Sequence, residues 1–270
     1  ETARDDDGTV REAATNALAE LADTEHVPSM IPLVLTAAPG RERDAAERAI
    51  AMVCQRNADQ HAQASPLLDA MKKLNDSEQT MLLSTVGRIG GRAALKVVDD
   101  AVQSSRPELH EAGVRALCNW PDGAVVSRLL RVARTDENAA QRNLAFKALI
   151  RIAPLADQRD DGRRLDTLRT VFVMCSSDDE RSLVLDRAKA IRSIATLRFL
   201  VPFLDQPPLA PQACLTVVEL AHHSSLRESN KDEFHAALDQ VMQISQDATV
   251  IDRAGRYKTG QTWVRPKNAE

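Results

Sequence analysis

The sequence predicts an all-α protein built from repeated pairs of helices, and three observations support this prediction. Only 3% of the 270 residues are aromatic although 43% are hydrophobic, so small aliphatic side chains supply the apolar mass. That composition disfavours a β-sandwich or barrel, which would contain more aromatic and β-branched residues. Apolar residues also recur with the spacing of one helix face, and the same pattern returns along the chain at nearly regular intervals.

The first unit lies in residues 10–35. Apolar residues at positions 10, 14, 17, 18 and 21 fall on one face of a helix. A second apolar stretch, Met30 to Leu35, follows Pro28, whose missing N–H costs little in the first turn of a helix. The predicted unit is therefore a helix, a short turn and a second helix.

The same unit recurs further along the chain. Arg43, Ala46 and Ile50 repeat the first helix 32 positions later, with further matches around Leu82, Ala116, Ala145, Ala190 and Ala213. Capping boxes are predicted before three of these helices, at Thr9…Glu12, Ser105…Glu108 and Ser177…Glu180. The sequence thus predicts about 13 helices in roughly 6–7 units over residues 1–246. Residues 247–270 are predicted to be a C-terminal cap or a linker to a further domain.

The stretch Val10 to Leu21, followed by Ile31-Pro32-Leu33-Val34-Leu35, resembles the HEAT repeat and its bacterial HEAT-like variants. Val86-Gly87-Arg88-Ile89-Gly90 resembles it too, and the resemblance covers about residues 9–246. It implies an armadillo-type fold, a right-handed α-α superhelix or solenoid, whose second helices line a concave side. Gln79, Val184 and Ala210 depart from the pattern, which has Arg at these positions.

The ends of the chain suggest a fragment of a larger multidomain protein. Glu1 stands where an initiator Met would, and the segment has no signal peptide, so its localisation stays unknown. The chain also begins on a helix that resembles the second of its HEAT pair. An appended domain of the same chain is therefore a further possible partner.

Charge and hydropathy exclude several classes of partner. The net charge of -4 gives no support to a nucleic-acid partner, which favours a basic face. No apolar run approaches the roughly 18 residues of a membrane span. The cysteines Cys54, Cys118, Cys175 and Cys214 include no CxxC pair, so we expect buried small hydrophobic residues rather than a zinc or iron–sulfur site.

The sequence predicts no catalytic residue, no cofactor site and no metal site. Glu219 and His222 would share one helix face as in di-iron bundles, but no second Glu-x-x-His copy accompanies them, so a polar helix end is the preferred interpretation. GxSxG, HExxH and P-loop patterns are absent from the sequence. The Gly87–Gly91 segment has the wrong spacing for a phosphate loop and reads as a helix end followed by a tight turn.

Basic side chains at the predicted concave positions are the best candidates for a binding surface. They are Arg11, Arg43, Arg48, Arg115, Arg142, Lys147, Arg187 and Arg192. Such a row would form a basic stripe that grips an acidic peptide or a phosphate. The alternative is structural, because repeat arginines also bond to the Asp side chains or carbonyl groups of adjacent turns.

The HEAT resemblance implies a non-catalytic protein-interaction scaffold whose partner is another protein or a peptide. The alternative is a HEAT-like enzyme such as a bilin lyase or a relative of the alkylpurine DNA glycosylases. A lyase would need an exposed, activated Cys or acid, and a glycosylase would need a basic, aromatic-rich face. Neither feature is evident in the sequence.

Overall fold

The computed structural model describes residues 7–263, and sixteen α-helices make up the regular structure of this range together with three short 3-10 turns. The predicted all-α class is confirmed. The expected number of about 13 helices is wrong, because short helices such as α4 (Ser65–Met71), α12 (Ile194–Leu200) and α14 (Ser224–Ser229) stand between the longer ones. Helices this short carry too few apolar positions for a periodic pattern to reveal them.

The chain divides into two compact units, unit 1 (Glu1–Ile152) and unit 2 (Ala153–Glu270). The helices of unit 1 are α1 (Gly8–Leu21), α2 (Val27–Thr36), α3 (Arg41–Gln55), α4, α5 (Asp76–Ile89), α6 (Gly91–Val102), α7 (Pro107–Cys118), α8 (Val126–Thr135) and α9 (Ala139–Ile152). Those of unit 2 are α10 (Asp161–Met174), α11 (Asp178–Ala188), α12, α13 (Ala210–Ala221), α14, α15 (Lys231–Ile244) and α16 (Ala248–Lys258).

Unit 1 contains a ladder of five helices, α1, α3, α5, α7 and α9, each packed against the next. The intervening helices pack against the ladder, α2 on α3, α6 on α5 and α7, and α8 on α9. Neighbour-to-neighbour packing of this kind buries an apolar face that a single helical pair could not bury alone.

The core of unit 1 contains the side chains that the repeat pattern marks on α3, α5, α7 and α9. Ile50, Leu82, Leu117 and Leu149 are fully buried, and Trp120 is 1% exposed at the equivalent of a repeat core position. Alanines at matched positions, among them Ala46, are buried as well. Small residues there let neighbouring helices approach each other closely.

The face predicted for the first helix is wrong: Leu21 is 80% exposed, and the buried residues of α1 are Thr15 and Ala19. This helix stands at the start of the described ladder and packs on only one ladder neighbour, α3.

Two ladder helices approach each other closely at Gly87 of α5. A Cβ atom added there would lie 2.2 Å from the carbonyl oxygen of Ala116 on α7. Gly113 of α7 is equally constrained, since a Cβ would lie 2.6 Å from the backbone nitrogen of Val102. These glycines thus permit backbone contacts that no other residue allows. Gly90, at φ 75°, ends α5 as the sequence predicts.

Of the three predicted capping boxes, one has the expected N-cap residue in the structure. Ser177 caps α11 as expected by accepting from the Glu180 backbone nitrogen. The other two predictions are wrong: Asp7 caps α1, and Arg106, whose side chain makes no cap hydrogen bond, precedes Pro107 at the start of α7. A complete box that is not among the three predicted ones joins Asn75 and Glu78 at the start of α5, where Asn takes the place of Ser or Thr as the N-cap.

In unit 2 the predicted alignment of the repeats is wrong. The matched positions Ala190 and Ile191 lie in a turn after α11, not in a helix. Residues 247–270, predicted as a cap or linker, include α16, which packs on α13 and α15. In the described chain, no helix is long and apolar enough to cross a bilayer.

Candidate functional site

One position near the start of successive helices donates a hydrogen bond to the turn before it. Arg43 donates to the carbonyl oxygen of Ala37 at 2.8 Å, and Arg142 donates to that of Asp136 at 2.6 Å. Arg181 of unit 2 donates to Cys175 at 3.4 Å. Each acceptor lies six residues before its donor. We call this the turn-closing position.

Gln79 and His110 occupy the turn-closing position in the helices between Arg43 and Arg142. Their acceptors lie at other separations: Gln79 donates from Nε2 to the Leu74 carbonyl, five residues earlier, at 2.8 Å, and His110 Nδ1 lies 2.6 Å from the Val102 carbonyl, eight residues earlier. Gln79 departs from the repeat sequence but keeps the same structural role. The position is therefore defined by its ability to donate rather than by its charge, because a backbone carbonyl that is partly shielded from water needs a hydrogen-bond donor.

The position of Arg181 shows that the repeat alignment predicted for unit 2 was displaced by three residues. The sequence pattern placed Val184 where the repeats have Arg, but the structure gives the turn-closing role to Arg181, three residues earlier. Arg192, predicted to lie on a concave helix face, lies in the turn between α11 and α12. Arg187 lies in the last turn of α11, with its Nε 3.9 Å from Asp186.

The eight predicted binding residues thus separate into two groups. Arg11, Arg43 and Arg142 are partly buried and bonded; Arg11, for example, donates to Glu42 of the next ladder helix at 2.6 Å. The exposed residues are Arg48, Arg115, Lys147, Arg187 and Arg192. Of these, the first three stand at equivalent places on α3, α7 and α9, five residues after the turn-closing position.

We call Arg48, Ser84, Arg115 and Lys147 the ladder-face row. Arg48 and Arg115 are 54% and 57% exposed and pair with acids one turn before them, Asp44 and Glu111. Lys147 is exposed and forms no hydrogen bond or ion pair within residues 7–263. Exposed pairs of this type contribute about 0.3–0.5 kcal/mol, so they leave the cations available to a partner.

A buried carboxylate lies beside this row. Glu47 of α3 is 6% exposed and accepts hydrogen bonds from Ser84 Oγ at 2.8 Å and Arg88 Nε at 3.0 Å, both on α5. Asn119, the residue that follows α7, donates to Ser84 at 2.8 Å. Arg88 also contacts Asp44. We call these residues the Glu47 network; it ties three ladder helices together and fixes the surface on which the row lies.

His110 is the titratable member of the turn-closing position. Its Nε2 lies 2.8 Å from Asp136 Oδ2 in the turn before α9. Burial lowers the pKa of His110, but the hydrogen bonds to Val102 and Asp136 and the charge of Asp136 outweigh it, so the pKa is raised. A groove of about 540 Å³ borders it, lined also by Glu111, Arg131 and Glu137.

The four cysteines are buried and unpaired by disulfides, as the sequence predicts. Burial raises the pKa of Cys54 and Cys118 to about 12 and of Cys175 to about 11, and it raises the pKa of Cys214. A thiol is nucleophilic only as the thiolate, so none of these groups is activated.

The Glu219–His222 pair is bonded to other residues of unit 2. Glu219 accepts from Arg253 at 2.7 Å, and His222 Nδ1 lies 2.9 Å from the hydroxyl of Tyr257. Arg253 also stacks over the Trp263 ring at 4.9 Å. Within the described range, no group of three or more His, Cys, Asp or Glu side chains could hold a metal ion.

Comparison with known proteins does not identify a family for this chain. No protein-family model and no curated protein matches the sequence. Two engineered proteins solved by the Northeast Structural Genomics Consortium resemble it structurally. One is 20% identical over 96% of this chain and 76% of its own, with a TM-score of 0.37, and the other is 17% identical over 97% and 95%, with a TM-score of 0.25. TM-scores this low do not establish a shared fold.

Proposed function

We propose that the chain is a non-catalytic protein-interaction scaffold built of HEAT-like repeats arranged as a right-handed solenoid. The observation that carries the proposal is the ladder of unit 1, in which five helices pack in chain order. Such an array presents a long, rigid surface, and repeat proteins of this architecture use that surface to bind extended partners.

The ladder-face row is the proposed binding surface, and an acidic segment of another protein is the proposed partner. Arg48, Arg115 and Lys147 recur on this face and are exposed. Beneath them, the Glu47 network holds α3, α5 and α7 in fixed relation. A preorganised surface lowers the entropy cost of binding.

The test is a charge reversal on the row. The variant Arg48→Glu/Arg115→Glu/Lys147→Glu is compared with Arg92→Glu/Lys96→Glu/Arg134→Glu, which makes the same change at exposed cations of α6 and α8. A fluorescein-labelled peptide of Glu and Gly is titrated with each protein, and its anisotropy is recorded. We expect the row variant alone to lose binding, because three complementary charges become repulsive.

Equal affinity of the two variants for the peptide would contradict the proposal. Retention of a duplex oligonucleotide by the wild-type chain, abolished in the row variant, would contradict it as well. That second result would favour a glycosylase-like enzyme, because phosphate contacts supply most non-specific binding to DNA.

A further inference from the structure

Unit 2 contains a groove of about 1230 Å³ that the ladder-face row does not use. Its walls come from α11, the turn at residues 204–208, the first half of α13 and the stretch from the end of α15 into α16. The volume exceeds the roughly 300–1,000 Å³ of typical small-molecule sites. The groove is also partly open to solvent, so its size suits a segment of a protein.

The lining of the groove is mixed, with somewhat more apolar than polar surface. Leu215 and Ile244 are partly exposed within it, and the deeper side chains include Leu204 and Val250. These side chains come from the turn before α13 and from α13, α15 and α16, and together they line the groove. A groove with apolar side chains from several helices is the kind of surface that accepts the apolar face of a helix.

Three prolines form one wall, Pro207, Pro208 and Pro211, and each is exposed. A proline has no backbone N–H and a fixed φ, so this wall offers no amide donors at these positions and loses little conformational entropy when it is covered. The wall is therefore stiff and preorganised for an apolar occupant.

The charge of the groove has one sign. Asp205 and Asp247 line it and are exposed, and none of the lining residues is basic. Within the described chain, neither carboxylate has a basic partner: Asp205 accepts from Gln240, and Asp247 accepts from the backbone at the start of α16. Most acids on α11 and α16, by contrast, are already in ion pairs.

We propose that this groove binds an amphipathic helix of a partner protein that carries Lys or Arg on either side of its apolar face. The apolar face would cover Leu215, Ile244 and the proline wall. The flanking cations would complete ion pairs with Asp205 and Asp247. The site lies in unit 2 and selects the opposite charge from the ladder-face row, so it is independent of the proposed function and can succeed or fail separately.

The test uses three fluorescein-labelled probes and the full chain. The first is an 18-residue peptide of Leu and Lys with the Leu residues at helical spacing, about five turns long. The second replaces each Lys with Glu. The third has the composition of the first in an order that scatters Leu around the helix. We expect the first peptide to bind most tightly in fluorescence anisotropy titrations.

Two sets of variants locate the binding. Asp205→Asn/Asp247→Asn removes both charges but keeps the hydrogen-bond acceptors, and Asn is as good a helix N-cap as Asp. The matched control Asp100→Asn/Asp232→Asn makes the same change of net charge at exposed acids outside the groove. Because one exposed ion pair contributes about 0.2–1 kcal/mol, we expect the groove variant to weaken binding roughly two- to thirtyfold and the control to leave it unchanged.

A third variant tests the apolar contact separately. Leu215→Lys places a cation in the groove and should abolish binding of the Leu/Lys peptide, with circular dichroism confirming that the variant is folded. Equal binding of the scattered peptide, preference for the Glu peptide, or equal weakening by the control pair would overturn the proposal. Failure of all three peptides to bind would overturn it too.

Discussion

His110 and Asp136 join the start of α7 to the turn before α9 through a contact of 2.8 Å between Nε2 and Oδ2. The other ring nitrogen lies 2.6 Å from the Val102 carbonyl oxygen, which can only accept. Since both partners are acceptors, the ring satisfies both only as the doubly protonated imidazolium. Gln79 and Arg142, at the same position of neighbouring ladder helices, keep their N–H donors throughout the pH range in which a histidine titrates.

The contribution of this turn to the free energy of unfolding should therefore depend on pH. The pKa of His110 is raised in the folded state, so the stabilisation is fully present below the unfolded value of about 6.5 and is lost as pH rises through the folded pKa. We expect urea unfolding of the wild type to show this loss. His110→Gln, which keeps one donor, should show a flatter profile between the same pH values, and identical profiles would refute the assignment.

The turn-closing arginines should contribute to stability, whereas the ladder-face cations should not. Arg142→Ala removes the donor to the partly buried carbonyl of Asp136 and to the exposed carbonyl of Glu137, and it should cost about 0.5–1.5 kcal/mol in the free energy of unfolding. Arg48→Ala removes an exposed i,i+4 pair and should cost less than about 0.5 kcal/mol. Equilibrium denaturation measures both, and similar losses would show that this division of the arginines is mistaken.

Gly87 should tolerate no side chain. Its Cβ would lie 2.2 Å from the Ala116 carbonyl oxygen, so Gly87→Ala should destabilise unit 1 by about 1–3 kcal/mol or more. Gly255 in α16 is the matched control, because its Cβ would lie in ordinary contact, 3.7 Å from Met242 Sδ. Gly255→Ala should raise stability by about 0.5–1 kcal/mol, since alanine is the better helix former. Thermal denaturation of the two variants should shift in opposite directions.

The cysteines should be unreactive in the folded protein. With pKa values of about 12 for Cys54 and Cys118, almost no thiolate exists at pH 8, and all four side chains are buried. We expect a chromogenic disulfide reagent to label none of them quickly under native conditions and all four in denaturant. One thiol that reacts rapidly in the native state would revive the lyase alternative.

The sequence predicts unit 1 better than unit 2, and the reason is physical. Around Arg43 and Arg142 the spacing is regular and the marked apolar positions are buried, whereas in α1 the marked Leu21 is 80% exposed. In unit 2 the sequence register followed Ala190 and Ile191, residue types too common to exclude a shift, and Arg181 was missed because its role depends on a carbonyl that no sequence pattern shows.

The candidate site shows the same limit. Exposure of Arg48, Arg115 and Lys147 could not be read from residue type, since Arg43 and Arg142 carry the same charge but bond to turns. A signal for His110 was available, because it stands 99 positions after Arg11, as Trp120 does after Leu21. The groove of unit 2 was not predictable, because it forms between elements distant in sequence.

The turn-closing donors bear on how the chain folds as well as on how it is held. Arg43, Arg142 and Arg181 each reach only six residues back, and each ladder helix packs on the next one along the chain. Contacts between segments close in sequence require little loop-closure entropy, which favours rapid folding. Order in unit 1 should therefore start at any pair of neighbouring ladder helices and spread along the ladder, and a terminal helix should open while the others remain folded.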